Sequence, residues 1–396
     1  MQTHHPDAGS GAVVHLYATE LAYRGTTYES QLSEAVNHIT DTFARNGGKV
    51  THQSIFIRDP ARIGEVHRAL LALYGNTDIP ATSYIAQPPC DEGKLLSVEA
   101  SGIAGATVEY RGAQSTVVRH DGITWVQTAN VGNGERQEPS AYDQTGHALT
   151  DAESALASAG ARVEQIVRTW FYVGNITSAD AHATSAQRYQ ELNRSRTDFF
   201  QGIDFLTDYT PASISRAVYP ASTAIGMAGQ DIRLSTLALL TKRDDVRTVP
   251  LENPRQVAAF DYAKHYSPQS PKFSRAMAVA YGDKASIYIS GTASITASET
   301  QHIGNAALQT EETLDNITAL ISAENLTRHG LPGFSAGLGN LGIVRAYVKH
   351  AADYPAVRAV CEKRLGEIPV IYTIGDVCRD DLLVELEGIA HATATA

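Results

Sequence analysis

The chain has 396 residues, a formal net charge of −11, 43% hydrophobic and 19% charged residues. That is a globular composition with room for two or three domains. The acidic balance gives no general affinity for nucleic-acid phosphates or anionic membranes, and no run of about 18 apolar residues exists to span a bilayer.

The N-terminal stretch 1–11, MQTHHPDAGSG, lacks the basic and apolar regions of a signal peptide and reads as a flexible tail. A helical run follows, YESQLSEAVNHITDTFARNGG, with apolar residues at helical spacing and a Gly-Gly stop. Next come a strand (VTHQSIFI), a helix (PARIGEVHRALLALYG) and two alternating strands within IPATSYIAQPPCDEGKLLSVEASGIA. The order then recurs. DQTGHALTDAESALASAG reads as helix, IVRTWFYV as strand, ADAHATSAQRYQELNRSR as helix and YPASTAIGMAGQDIRLSTLALL as a strand pair. It recurs again in ALQTEETLDNITALISAENL, a Gly-rich insertion HGLPGFSAGLGN, IVRAYVKH, YPAVRAVCEKRLG and the closing strand pair IPVIYTIGDVCRDDLLVELEGIA. Pro80, Pro220 and Pro369 open the three strand pairs.

Internal repetition at this scale means fused copies of one supersecondary unit. The expected fold is α+β: units at 12–104, 105–245 and 246–396 around a pseudo-threefold axis, a trimer made within one chain. A monomer or weak dimer follows. Cys90, Cys361 and Cys378 are odd in number and form no CxxC pair. They read as free thiols in a reducing cytoplasm, not as disulfides or a zinc site. The histidines show no ligand spacing, so no metal is expected. No P-loop, GxGxxG, HExxH or GxSxG is present.

The unit resembles the Rid (YjgF-like) family of small trimeric imine deaminases with a chorismate-mutase-like fold. KFSRA (272–276), YISGTASI (288–295), LQTEETLDNITALI and LVELEGIA carry this resemblance. A longer one, over roughly residues 105–396, is to the chorismatases, Rid-like enzymes that remove pyruvate from chorismate. It rests on NPRQVAAFDYAKHYSPQSPKFSRAM, SGTASI, ETQHIGN, VKHAADYPAVRAVCEKRLG and DVCRDDLLVELEGIA, and less tightly on RTWFYVGNIT, QRYQELNRSR and PASTAIG. The first unit resembles only the general Rid pattern. Trp170-Phe171-Tyr172 stands where chorismatases have Trp-Asn-Tyr, and Ala297-Ser298 where they have Gly-His. Thr82, Ser222 and Val370 stand at or near the place where Rid deaminases carry a carboxylate-binding arginine, which argues against simple imine deamination.

The resemblance implies a cofactor-independent enzyme of secondary metabolism. Its substrate is a small dicarboxylate, and 3-hydroxybenzoate is favoured over a dihydroxycyclohexadiene carboxylate as product. In LVELEGIA, period two puts Glu385 and Glu387 on one face and Val384 and Leu386 on the other. Glu385 is the expected general acid, because a carboxyl in a partly apolar pocket keeps its proton near neutral pH; Glu387 reads as structural. Arg275, Arg345 and Arg168 are candidate carboxylate clamps. Arg345 and Arg168 occupy equivalent strand-centre positions, where an inter-unit salt bridge is the other reading. Phe273 and Ser274 accompany Arg275 on the KFSRA loop. Gly291 and Thr292 end a strand where substrate approaches the backbone, and Tyr347 adds a hydroxyl. Cys378 stands where 3-hydroxybenzoate-forming chorismatases have a cysteine; it would shape the pocket and exclude water rather than act as nucleophile. Two other functions stay open: a Rid-like hydrolase acting on an imine or another small unsaturated acid, and a non-catalytic small-molecule binder.

Overall fold

The computed structural model describes residues 2–4, 13–22, 24–132, 140–180, 187–261 and 269–394. Most of the expected tail, part of the helix expected over 179–196 and part of the 253–277 motif lie outside these residues. Gln2–His4 is a strand paired antiparallel with Tyr17–Thr19, which corrects the expectation of a tail for that part.

Unit 1 runs β1 (Val14–Glu20), α1 (Tyr28–Arg45), β2 (Gly48–Ile57), α2 (Ile63–Leu73), β3 (Ala81–Ile85) and β4 (Leu96–Ala104). Unit 2 opens with a hairpin, β5 (Thr107–Arg111) and β6 (Ser115–His120). It continues with β7 (Ile123–Val131), α3 (Ala141–Ser158), β8 (Ile166–Gly174), α4 (Arg188–Phe200), β9 (Ala221–Met227) and β10 (Ile232–Thr241). Unit 3 opens with β11 (Arg247–Leu251) and β12 (Ala276–Tyr281). It continues with β13 (Lys284–Ala293), α5 (Ala306–Ile321), β14 (Leu341–Val348), α6 (Tyr354–Leu365), β15 (Val370–Ile374) and β16 (Val384–Ala394). The sheets share one topology. Their central orders are β1-β4-β2-β3, β7-β10-β8-β9 and β13-β16-β14-β15, each with the last pair parallel and the others antiparallel. The α+β class and the three fused units are thus observed directly.

Local chemistry explains the elements. Thr27 caps α1 by accepting from the Ser30 amide, and Ser30 returns a bond to the Thr27 amide. Gly47, at φ +70°, ends the helix in the left-handed region. Leu32, Val36, Ile39 and Phe43 form one buried stripe of α1, packed with Leu16, Val50, Ile55 and Val98 of the sheet. Each such side chain contributes about 1.5–3 kcal/mol through burial. Two helices differ from expectation. The second helix of unit 2 begins at Arg188 and runs on to Phe200. The long helix of unit 3 breaks at Ser322, whose hydroxyl caps a separate short helix, Ala323–Arg328.

The units close in a ring. β3 of unit 1 packs on β7 of unit 2, β9 of unit 2 on β13 of unit 3, and β15 of unit 3 on β1 of unit 1. Helices cover the outer sheet faces, α1 on β4, α3 on β10 and α5 on β13. The inner faces meet at the centre, so β16 is buried on both sides: Val384 and Leu386 lie in the helix-covered core, Glu385 and Glu387 on the inner face.

Candidate active site

The seam between units 2 and 3 encloses a cavity of about 260 Å³. Unit 2 supplies Tyr189 and Arg196 from α4 and Ser222 and Thr223 from β9; unit 3 supplies Phe273, Arg275, Gly291, Cys378, Arg379 and Glu385. Two amides of α5 hold the unit 3 side in place. The Gln309 side chain accepts from the Leu383 amide (2.7 Å) and donates to the Asp381 carbonyl (2.9 Å), fixing the entry to β16. Asn316 donates to the carbonyls of Ala293 and Ile295 at 3.1 and 3.0 Å, fixing the end of β13 and the cavity wall beyond it.

Glu385 is 6% exposed. Burial first, and the nearby Glu387 charge second, push its carboxyl up to about 8, against a lowering pull from Arg168 and Arg275. It is therefore a protonated acid at neutral pH. Gly291 makes the space for it, since a Cβ there would stand 2.1 Å from Oε1 of Glu385. The Gly291 amide donates to Thr223 Oγ1 at 2.9 Å, tying that backbone to unit 2.

Glu387, two residues on, has a different environment. It accepts from Arg168 (2.5 Å), Arg345 (2.9 Å), Tyr347 (2.8 Å) and Thr223. Burial opposes its charge, but the two guanidinium groups and these hydrogen bonds outweigh it and hold the carboxyl below its ordinary range.

This geometry corrects the clamp expectation for Arg345 and Tyr347. All five N–H groups of Arg345 are engaged: two with Glu99 of unit 1 (2.5 and 2.7 Å), one with Ser54 (3.0 Å), and the rest with Tyr172 of unit 2 (2.8 Å) and Glu387 (2.9 Å). Neither Arg345 nor Tyr347 lines the cavity. Arg168 is likewise set behind the wall, donating to the Thr169 carbonyl, Thr223 and Glu387. Ser274 and Thr292 are also outside, bonded to the backbone carbonyls of Tyr219 and Ser290 at 2.9 Å each. Glu385, Cys378, Arg275, Phe273 and Gly291 are brought together.

The sequence reading missed Arg196. It is 1% exposed, with NH1 donating to Ser222 Oγ (3.2 Å) and NH2 to Asn193 Oδ1 (2.6 Å). Among the described residues its Nε has no hydrogen-bond partner and no carboxylate pairs with it. Burial pulls its pKa down to about 10, so it keeps its charge at neutral pH. Ser222 stands near the place of the deaminases' strand arginine; here a guanidinium reaches it from the helix instead. Arg196 and Arg275 lie 5.8 and 5.5 Å from the centre of the Phe273 ring, so both cations pack against one aromatic side chain. The signal for Arg196 was its place seven residues after Tyr189 on α4, two helical turns along the same face.

Cys378 lines the same cavity; burial first and Glu385 second push its thiol up to about 12, so it is no thiolate. Its loop is pinned to unit 2 by Thr177, which donates to Asp376 at 2.7 Å. Arg379 donates to the Ser298 carbonyl at 2.9 Å, and Ala297 adopts φ +54°, so the divergent Ala297-Ser298 segment braces the Cys378 loop from outside. Phe171 is fully buried in the unit 2 core. Among the described residues, no group of three or more His, Cys, Asp or Glu is placed to hold a metal, and no helix is long and apolar enough to cross a membrane.

No family model matches the chain. It is 34% identical over 229 residues to a 3-hydroxybenzoate synthase of Streptomyces hygroscopicus, an alignment covering 57% of this chain and 63% of that protein. It is 34% identical over 278 residues to a chorismatase of Streptomyces rapamycinicus, covering 68% and 77%. A chorismatase of Streptomyces hygroscopicus is 33% identical over 273 residues, covering 68% and 74%. The fold matches a chorismatase crystal structure with a TM-score of 0.67 over 94% of this chain and 98% of that one, at 22% identity. At 34% and 33% identity over 77% and 74% of the two Streptomyces chorismatases, the chain belongs to the chorismatase family.

Proposed function

We propose that this protein is a cofactor-independent chorismatase that releases pyruvate from chorismate, with 3-hydroxybenzoate as the favoured co-product. The observation that carries the reading is the buried Glu385 carboxyl, which shares one cavity with two buried guanidinium groups, Arg275 and Arg196, and which burial favours in its protonated form. The substrate's two carboxylates match the two cations, each charge-assisted bond contributing about 1.5–3 kcal/mol.

Glu385 delivers its proton to the terminal methylene carbon of the enol ether. The double bond supplies the electron pair, and the ether carbon becomes an oxocarbenium ion. A positioned acid of this kind contributes about 10²–10⁴ in rate. Two nucleophiles then compete for that carbon. Attack by the ring hydroxyl gives a cyclic ketal and releases the hydroxyl proton. The attacking oxygen then parts from its ring carbon and becomes the pyruvate carbonyl oxygen, and the neighbouring ring carbon loses its proton as the ring becomes aromatic. The original ether oxygen leaves the ketal carbon, stays on the ring and takes up a proton. This yields pyruvate and 3-hydroxybenzoate with Glu385 reprotonated and no water consumed. Attack by water yields pyruvate and the dihydroxycyclohexadiene acid. Cys378, a neutral thiol on the wall, shapes the space and excludes water, which favours the internal route. Thr223 and Gly291 position Glu385, and Phe273 packs beside both guanidinium groups.

Three free cysteines support a reducing compartment. Seams closed within one chain support a monomer, which gel filtration would test. Pyruvate assay after incubation with chorismate tests the function; kcat/KM should fall as pH rises through about 8, where Glu385 loses its proton. Ammonia from 2-aminoacrylate without pyruvate from chorismate would overturn the reading in favour of a Rid-like deaminase.

A further inference from the structure

Among the described residues, none that lines the cavity comes from unit 1. Unit 1 nevertheless places one carboxylate at the centre of the ring. Glu99 grips Arg345 with two bonds, at 2.5 and 2.7 Å, and is 3% exposed. Arg345 passes its remaining charge to Glu387, on the face of β16 that also carries Glu385. Glu387 bonds Thr223 and Arg168, and Thr223 holds the Gly291 amide beneath the Glu385 carboxyl. The chain of contacts Glu99–Arg345–Glu387–Thr223–Gly291 is thus unbroken from unit 1 to the cavity. Within it two arginines, 168 and 345, balance two glutamates, 99 and 387.

We propose that Glu99 is a positioning residue of unit 1 that decides, through the charge balance of Arg345 and Glu387, whether Glu385 holds its proton. The inference rests on Glu385 being the acid proposed above. The physical reason is that a buried charge cluster is poorly screened. If Glu99 is neutralised, Arg345 is left over-positive behind the cavity and the ionised form of Glu385 is favoured. If Arg345 is neutralised, the balance tips the other way. The other groups facing Glu385 are unaltered in both cases: Arg275 before β12, Tyr189 and Arg196 on α4, and Cys378, Arg379 and Asp380 on the loop before β16. This gives the first unit, which supplies no described residue to the active-site cavity, a role in the chemistry beyond closing the ring.

The test is a charge cycle on the full chain: Glu99→Gln, Arg345→Gln and the double variant. The readouts are the alkaline limb of the pH profile of kcat/KM for pyruvate release and the infrared titration of the carboxyl band that Glu385→Gln abolishes. Glu99→Gln should move both to lower pH, by a few tenths of a unit up to about one unit, the scale of one charge acting through the cluster at an effective dielectric constant of about 20. Arg345→Gln should move both to higher pH, and the double variant should return them to the wild-type position. Glu99→Asp, which keeps the charge, should leave the limb in place. A merely structural cluster predicts lost activity with an unmoved limb, or shifts of one sign in both single variants, and either result overturns the inference. Each single variant carries its own sign, so whichever folds decides the matter. A double variant displaced as far as a single one also overturns it. Should the wild type release no pyruvate from chorismate, the functional reading falls, while the infrared titration still decides the charge relay.

Discussion

Gly291 and Glu385 occupy one space: a Cβ on Gly291 would stand 2.1 Å from Oε1 of Glu385 and 3.2 Å from Cγ2 of Thr223. The atom in the way is the far end of a flexible side chain, so the fold can yield where the chemistry cannot. Gly291→Ala should melt within a few degrees of wild type yet lose at least about 10² in kcat, because a misplacement of about 1 Å at the reacting group costs that much. Near-normal turnover would show that the Glu385 carboxyl has no fixed position.

Glu385→Gln keeps the shape and removes the proton. Pyruvate release should fall by about 10²–10⁴. Stability should move the other way with pH. The Glu385 carboxyl is raised in the folded state from the ordinary 4.5 to about 8. Between those values the unfolded chain gives up a proton that the native chain keeps, so this group's contribution makes folding less favourable as pH rises. The variant lacks that dependence. Its melting temperature should match wild type near pH 4 and exceed it at pH 8; an equal difference at both would refute the burial of Glu385.

Arg196→Gln tests the cation that no carboxylate accompanies among the described residues. Its removal leaves no stranded buried charge, so stability should change little. KM should rise about tenfold to a hundredfold, the loss of one charge-assisted bond. Saturation kinetics at fixed pH measure this, and an unchanged KM would remove Arg196 from the substrate site.

Cys378→Ala should keep most pyruvate release and shift product from 3-hydroxybenzoate toward the dihydroxycyclohexadiene acid. A difference of about 1.4 kcal/mol between the two routes changes their ratio tenfold, and extra space beside the oxocarbenium carbon admits water. Turnover in ¹⁸O-water labels the pyruvate carbonyl only by the hydrolytic route. Equal labelling in variant and wild type would show that the thiol does not govern water entry.

Arg345→Gln strands Glu99 in the interior and leaves Glu387 with Arg168 as its cation. Breaking a buried pair from one side costs about 3–5 kcal/mol, which a protein of ordinary stability survives. Urea unfolding should show a lowered midpoint. A loss below about 1 kcal/mol would mean that the central cluster does not hold the three units together.

Strand and helix periodicity made the three units legible, because each unit buries one face and repeats its pattern of apolar positions. The same periodicity put Glu385 and Glu387 on one face. It could not say which would be acid and which anchor, because both have the same local surroundings. That difference arises only when Arg168 of unit 2 and Arg345 of β14 converge on Glu387 and leave Glu385 facing the cavity. The strand-centre pattern also showed that Arg345 needs an anion, but not that the anion is Glu99, 246 residues away in the chain. Arg196 shows the converse. Its local sequence is an ordinary polar helix, and what marks it is a carboxylate partner missing among the described residues. Period and propensity are set by near neighbours along the chain, whereas the charge a buried group meets is set by whatever the closing of the ring brings against it.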